Sequence, residues 1–237
     1  MDALTITAAG LLNDVERLRV LSHNLANATT SGFRRDIAVL RPFQVQLDEA
    51  GARLGVSARV IATDIDRTQG AMRYSGNPLD VALEGDGFFV LESPAGAVFL
   101  RQGSFQLDSR GRLVGPNGRA VLGASGEIVL SNAEPRIDQA GNIWERDRLV
   151  DSLRIVRFPS DAQPVSLGGG LYTSDAGIPE AVELPRVRQG YVEASNVVPM
   201  REMVRLIETI RHFEASQRLV RSYDDMMDRA LSLLGEV

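Results

Sequence analysis

The sequence predicts an α+β protein in which a discontinuous helical coiled-coil domain, made from the N- and C-terminal helices, is joined to a central antiparallel β-rich domain. Three observations carry the prediction. Both chain ends repeat apolar residues in alternating steps of four and three. The middle switches to short alternating runs broken by Gly, Asn and Asp turns, and no long helical pattern interrupts those runs.

At the N terminus the repeating positions are Leu4, Ala8, Leu11, Val15, Leu18, Ser22 and Leu25. This is the 3.5-residue period of a coiled-coil seam rather than the wider stripe of a surface helix. The pattern stops at "NLANATTSGF", where Gly32 supplies a helix stop or a tight turn. Asn24 and Asn27 are candidates for fixing helix contacts, or the backbone where the chain turns away. Phe33 is a candidate anchor at the start of an outgoing arm. Residues 1–35 thus form the first half of the helical domain, and residues 36–75 the arm, with some β-structure.

From 76 to 160 the chain is β-rich. "PLDVALEGDGFFVLES" alternates, turns at Gly85-Asp86-Gly87 and resumes. Turns follow at Asp108 to Gly111, at Asn117-Gly118 (a two-residue hairpin signal) and around Gly141. Residues 161–189, rich in Pro and Gly, form an extended return segment. Residues 190–237 complete the helical domain, with the seam Met203, Leu206, Ile210, Phe213, Gln217, Val220, Asp224, Met227, Leu231 and Leu234. Pro199 suits the first turn, and Ser195 or Asn196 is placed to cap it. This helix would be about 55 Å long, more than a compact domain of this size needs. Packing both helices on the chain's own sheet is the plain alternative. The shared period, the opposite ends and the length favour a mutual helix pair extended by neighbouring molecules, and polar seam residues argue against a simple homodimeric zipper.

Composition narrows the chemistry. The net charge of -5, spread without a basic block, gives no electrostatic footprint for nucleic acid. Without cysteine there are no disulfides or thiolate sites, and only two histidines, His23 and His212, are available to a zinc site or a Ser-His-Asp triad. Gly85-Asp86-Gly87 lacks the third glycine and the following helix of a phosphate loop. The Asp108 and Asp138 turns have too few oxygen ligands for an EF-hand, and Asn27-Ala28-Thr29 fits a glycosylation sequon without a secretory context. No catalytic, cofactor or metal site is expected. The acidic, interrupted start "MDALTITAAGLL" is not a Sec-type leader, and no run is long and apolar enough to insert in a membrane.

The blocks "NLANATTSGFRRD", "GNPLDVALEGDGFFVL", "LRQGSFQLDSRGRLVGPNGRAVLG" and "GYVEASNVVPMREMVRLIETIRHFEASQRLVRSYDDMM" resemble, in order, those of bacterial flagellar rod and hook proteins. The short length and "LRIVRF" look most like the proximal rod members, with distal rod members as close relatives. Two positions depart from the family pattern: Ile210 stands where Gln is common, and Leu100 where Thr is frequent. The resemblance implies a non-enzymatic subunit of a helical shaft, exported through the flagellar type III apparatus without signal cleavage and located in the basal-body rod. Its implied partners are other rod subunits, through self-association or heterologous axial contacts, and the export apparatus. The residues implied at the assembly interface are Leu11, Val15, Leu18, Leu25, Leu206, Ile210, Phe213, Val220, Met227 and Leu231. A carbohydrate- or envelope-binding β-module dimerised by its helices is the competing reading, but it needs an aromatic-lined face from a chain with 5% aromatic residues. A carboxylate-based glycosidase would need two acids facing a cleft.

Overall fold

The computed structural model describes residues 3–42, 59–94, 96–132, 134–159, 162, 164–174 and 179–235. The chain is α+β, with a helix at each end and antiparallel sheets between. It divides into two compact units. The helical unit comprises Met1–Ala26, Asp36–Asp64 and Val198–Val237, and the β unit comprises Asn27–Arg35 and Ile65–Val197.

In the helical unit, α1 (Ala3–Ala26) packs on α2 (Pro199–Gly235), and a two-stranded ribbon joins β1 (Asp36–Pro42) to β2 (Arg59–Ile65). Pro199 occupies the first helical position, where its missing N–H costs nothing. The expected capping by Ser195 or Asn196 is corrected by the structure. Ser195 Oγ accepts the Val197 N–H and the Asn196 side chain is used elsewhere. Val198 stands at the cap, its carbonyl accepting from Arg201 and Glu202.

The β unit is built around a six-stranded sheet in the order β13-β14-β6-β5-β12-β15. These strands are β5 (Phe88–Leu91), β6 (Val98–Leu100), β12 (Ile155–Arg157), β13 (Pro164–Gly168), β14 (Leu171–Ser174) and β15 (Glu180–Ala181). All four residues of β5 are buried, because successive side chains enter opposite faces and both faces are covered. Phe89 and Leu91 join a core with Val81, Leu100, Phe105, Leu113, Val121 and Ile143. On the other face Phe88 meets Phe158 and Tyr172 edge-to-face at 5.1 and 5.4 Å.

Smaller sheets surround this one. β3 (Met72–Tyr74) pairs with β17 (Tyr191–Glu193), β4 (Val81–Glu84) with β16 (Arg186–Gln189), and β7 (Gln106–Leu107) with β8 (Leu113–Val114). A three-stranded sheet contains β9 (Arg136–Ile137), β10 (Asn142–Glu145) and β11 (Arg148–Ser152). Three local findings sharpen the sequence reading. The turn at Gly85 carries the chain from one sheet to another, since β4 pairs with β16 and not with β5. The Asn117-Gly118 signal belongs to a three-residue loop rather than a two-residue one. The Gly115 N–H reaches the Arg119 carbonyl at 2.9 Å around Pro116, Asn117 and Gly118, with Gly118 at φ +71°. The same turn is also used twice, although no repeat is evident in the sequence. Oδ1 of Asp108 accepts the N–H groups of Arg110 and Arg112, and Oδ1 of Asp138 accepts those of Ala140 and Asn142. The backbone N–H and guanidinium of Arg112 hold the Asp108 carboxyl below the ordinary carboxylate range.

Gly103 is fixed by close approach rather than by φ. A Cβ there would lie 1.6 Å from the Val81 carbonyl oxygen, which belongs to a strand that cannot yield without breaking its ladder. Gly103→Ala is therefore expected to destabilise the β unit by about 3 kcal/mol or more, read as a lower thermal midpoint. A loss below about 0.5 kcal/mol would contradict the packing described.

Candidate assembly interface

The two helices run antiparallel. Asn24 of α1 meets Glu202 of α2 at 3.4 Å, and ten residues earlier on α1 Asp14 meets His212, ten residues later on α2, at 2.5 Å. At that register the last three turns of α2, from about residue 224, run some 18 Å past the start of α1.

The centre of this packing is polar. Asp14, Asn24 and Glu202 are buried, and among the described residues of α1 the buried apolar ones are Val20 and Leu21. Asn24 holds the returning chain by both backbone groups of one residue. Its Nδ2 donates to the Asp36 carbonyl at 2.9 Å, and its Oδ1 accepts the Asp36 N–H at 2.8 Å. One amide thus completes a short stretch of ladder where β1 begins, which satisfies groups that would be costly to bury unpaired. His23 adds a contact to the Asp36 carboxylate at 2.7 Å. Each of the two histidines therefore contacts a carboxylate within the helical unit, and no cluster able to hold a metal occurs among the described residues.

The apolar seam positions are only partly covered. Leu11, Leu18 and Leu25 are half-buried and Val15 is 51% exposed. On α2, Leu206, Phe213 and Val220 are half-buried, whereas Ile210 and Met227 are 39% and 47% exposed. The side chain of Leu231 lies outside the described residues. A second apolar group, Met200, Met203, Val204 and Ile207, is exposed on the first turns of α2. A chain that buries Asp14 and Asn24 while leaving these residues in water has not completed its own burial.

The β unit fixes the segments adjoining the helices. Asn27 accepts at two points from Thr30, through its carbonyl and its side chain, and shapes the turn that follows α1. Gly32 has φ +68°, and a Cβ on it would lie 2.6 Å from the Gln102 backbone, so both conformation and contact require glycine. Phe33 is buried, as an anchor would be. Asn196 Oδ1 accepts the Arg35 N–H at 2.7 Å, and its Nδ2 donates to the carbonyls of Asp66 and Thr68 at 3.0 and 2.9 Å. One side chain thereby ties together two backbone segments of the β unit through three backbone groups.

Beside them lies a buried charge cluster that single-sequence reasoning missed. Glu193 takes Arg101 Nε at 2.7 Å and Nη2 at 2.5 Å on one oxygen, and Arg34 at 3.2 Å on the other. Arg101 also donates to the carbonyls of Gly87 and Leu83 at 2.6 and 2.8 Å, and Arg34 to those of Arg67 and Thr68. All three residues are buried. Burial, with Arg101 nearby, lowers the Arg34 guanidinium from its ordinary value, and Glu193 opposes that shift. The only available signal was that all three fall inside the quoted sequence blocks. Nothing local marks a lone Arg or Glu as buried.

The flagellar basal-body rod protein FlgF of Mesorhizobium japonicum is 32% identical to this chain, over 99% of the chain and 98% of the relative. The chain belongs to the flagellar basal-body rod protein family. Other family members align as completely. FlgF of Escherichia coli is 31% identical over 99% of both chains, and FlgG of Buchnera aphidicola is 30% identical over 98% of this chain and 99% of its own. Residues 188–233 match the family model for the C-terminal region of flagellar basal body rod FlgEFG proteins, and residues 82–168 match that for the flagellar hook protein FlgE/F/G D1 domain. The first match spans Glu193, Asn196 and most of α2, and the second contains Arg101 and Gly103. The family is structural and not enzymatic. No helix among the described residues is long and apolar enough to cross a membrane.

Proposed function

We propose that this chain is a structural subunit of the flagellar basal-body rod, in its proximal part, and that it assembles helically through its terminal helices after type III export. The observation that carries the proposal is the incomplete burial of α1 and α2. Their seam residues are half-covered by each other, and the end of α2 extends beyond its partner helix. In a head-to-tail array, neighbouring subunits cover what one chain leaves open, and the contact need not close into a ring. The coiled-coil layer is then completed between molecules. In this reading residues 1–35 and 190–237 form the inner helical layer, 36–75 and 161–189 the connecting segments, and 76–160 the β-rich outer part. The subunit resides in the rod, across the periplasmic space. Its partners are other rod subunits and the export apparatus.

The test is deletion of the gene followed by fractionation of basal bodies. The expected result is loss of motility, with basal bodies whose rods lack a segment that expression of the chain restores. Complete rods and normal swimming in the deletion strain would overturn the reading.

A further inference from the structure

In the β unit the chain's only tryptophan, Trp144, and one tyrosine, Tyr191, each lie beneath an arginine, and Tyr191 meets a second tyrosine, Tyr74. Arg136 is the cross-strand partner of Trp144, and its guanidinium sits 5.6 Å from the centre of the indole ring. The Arg188 guanidinium lies 5.7 Å from the centre of the Tyr191 ring, which in turn meets Tyr74 edge-to-face at 5.2 Å. Arg136, Arg188 and Tyr191 line a groove of about 440 Å³ together with Gln139, Val187 and Gln189. The groove lies between β9 and β16, each a terminal strand of its sheet.

The polar groups of the groove divide into those already used and those available. Gln189 is used: its Oε1 accepts the Ile137 N–H, and its Nε2 donates to the carbonyls of Pro78 and Pro135. Asp138 is used by four donors, from Ala140, Asn142 twice and Trp144. Arg188 contacts Glu84. Arg136 has no carboxylate within ion-pair distance among the described residues. The floor is thus pre-ordered by Gln189, and the free valence is cationic: the exposed Arg136 guanidinium, over the Trp144 ring, is open to a carboxylate.

We infer that this groove binds an acidic polypeptide segment, with Arg136 as the anchor for a carboxylate and Arg188 beside it. The inference does not depend on the rod reading, because the groove is made by the β unit alone. Trp, Tyr and Arg are the residue types that dominate protein contacts. A neutral sugar would need open aromatic faces to stack on, and here a guanidinium covers a face of Trp144 and of Tyr191.

Trp144 is the single tryptophan and lies beneath Arg136, so the tryptophan emission of the full chain reports on the proposed anchor. The test titrates the chain with a ten-residue glutamate peptide and separately with polygalacturonate, and repeats both by calorimetry. The expected result is a saturable signal with the peptide that weakens with added salt. Its affinity should fall about tenfold or more in Arg136→Gln, a change at an exposed position that leaves the thermal midpoint in place. Absence of saturable peptide binding, an unchanged affinity in Arg136→Gln, or tighter binding of polygalacturonate than of the peptide would each overturn the assignment.

Discussion

Replacing Glu193 by glutamine is expected to destabilise the β unit by about 3–5 kcal/mol, the cost typical of removing one partner from a buried ion pair. Glutamine keeps the shape but removes the charge that lets Arg34 and Arg101 sit in the interior. Arg101 would keep its bonds to the Gly87 and Leu83 carbonyls, yet two buried guanidiniums would face each other without a counter-ion. The expected fall in thermal midpoint is on the order of 10 °C, followed through Trp144, which belongs to the same unit. The comparison is Glu180→Gln. Glu180 also pairs with an arginine, Arg157, at 3.4 Å, but both side chains are more than half exposed, so its loss should stay within about 0.5 kcal/mol. Equal effects from the two variants would mean that the buried cluster carries no special weight.

The cluster explains why three separated stretches of the chain contribute to one place. Arg34 follows the first helix, Arg101 ends a β hairpin, and Glu193 precedes the second helix. Around them Gly32 donates to the Glu193 carbonyl at 2.7 Å, and Gly70 to the Glu193 carboxylate at 3.1 Å. A buried ion network is weak evidence for net stability but strong evidence for a specified geometry, because each member is costly when the others are displaced. Here the geometry so specified is that of the β unit's segments Asn27–Arg35 and the stretch that ends at Val197.

Legibility in the sequence followed the range of the interactions. The Asp108 and Asp138 turns could be read directly, because an aspartate bonds backbone within four residues of itself. The strand at "FFVL" was legible as the run that resumes after the Gly85-Asp86-Gly87 turn, although its burial on both faces depends on the sheets that cover it. The helix ends were legible to within a turn, yet the cap before α2 fell on Val198 because the asparagine beside it serves three distant carbonyl and amide groups instead. The apolar period of the helices was visible, but not the polar centre of their packing. Asp14 lies outside the apolar series, and nothing near it reveals that His212 will lie opposite. Asn24 was suspected of fixing backbone, although its target, Asp36, depends on where the chain returns. The Arg34–Glu193–Arg101 cluster was illegible for the same reason, because its members meet only when three distant stretches of the chain come together.

The second large effect concerns the helices. Leu18 and Phe213 are both half-buried seam residues. In the proposed array, a carboxylate at either position is tolerated in the free subunit but is buried unpaired against a neighbour, at a cost of several kcal/mol per contact. Because every subunit carries the change, the penalty recurs along the array. Leu18→Asp and Phe213→Asp are therefore expected to leave the Trp144-reported melting of the β unit unchanged and to abolish incorporation.

The decisive measurement is the amount of each variant in basal bodies purified from cells that lack the native gene, judged against its amount in whole cells. The account predicts normal cellular levels, at least about a tenfold deficit in the basal-body fraction, and non-motile cells. Basal bodies that contain Leu18→Asp and Phe213→Asp at native levels, in cells that swim, would contradict the assignment of the terminal helices as the assembly interface.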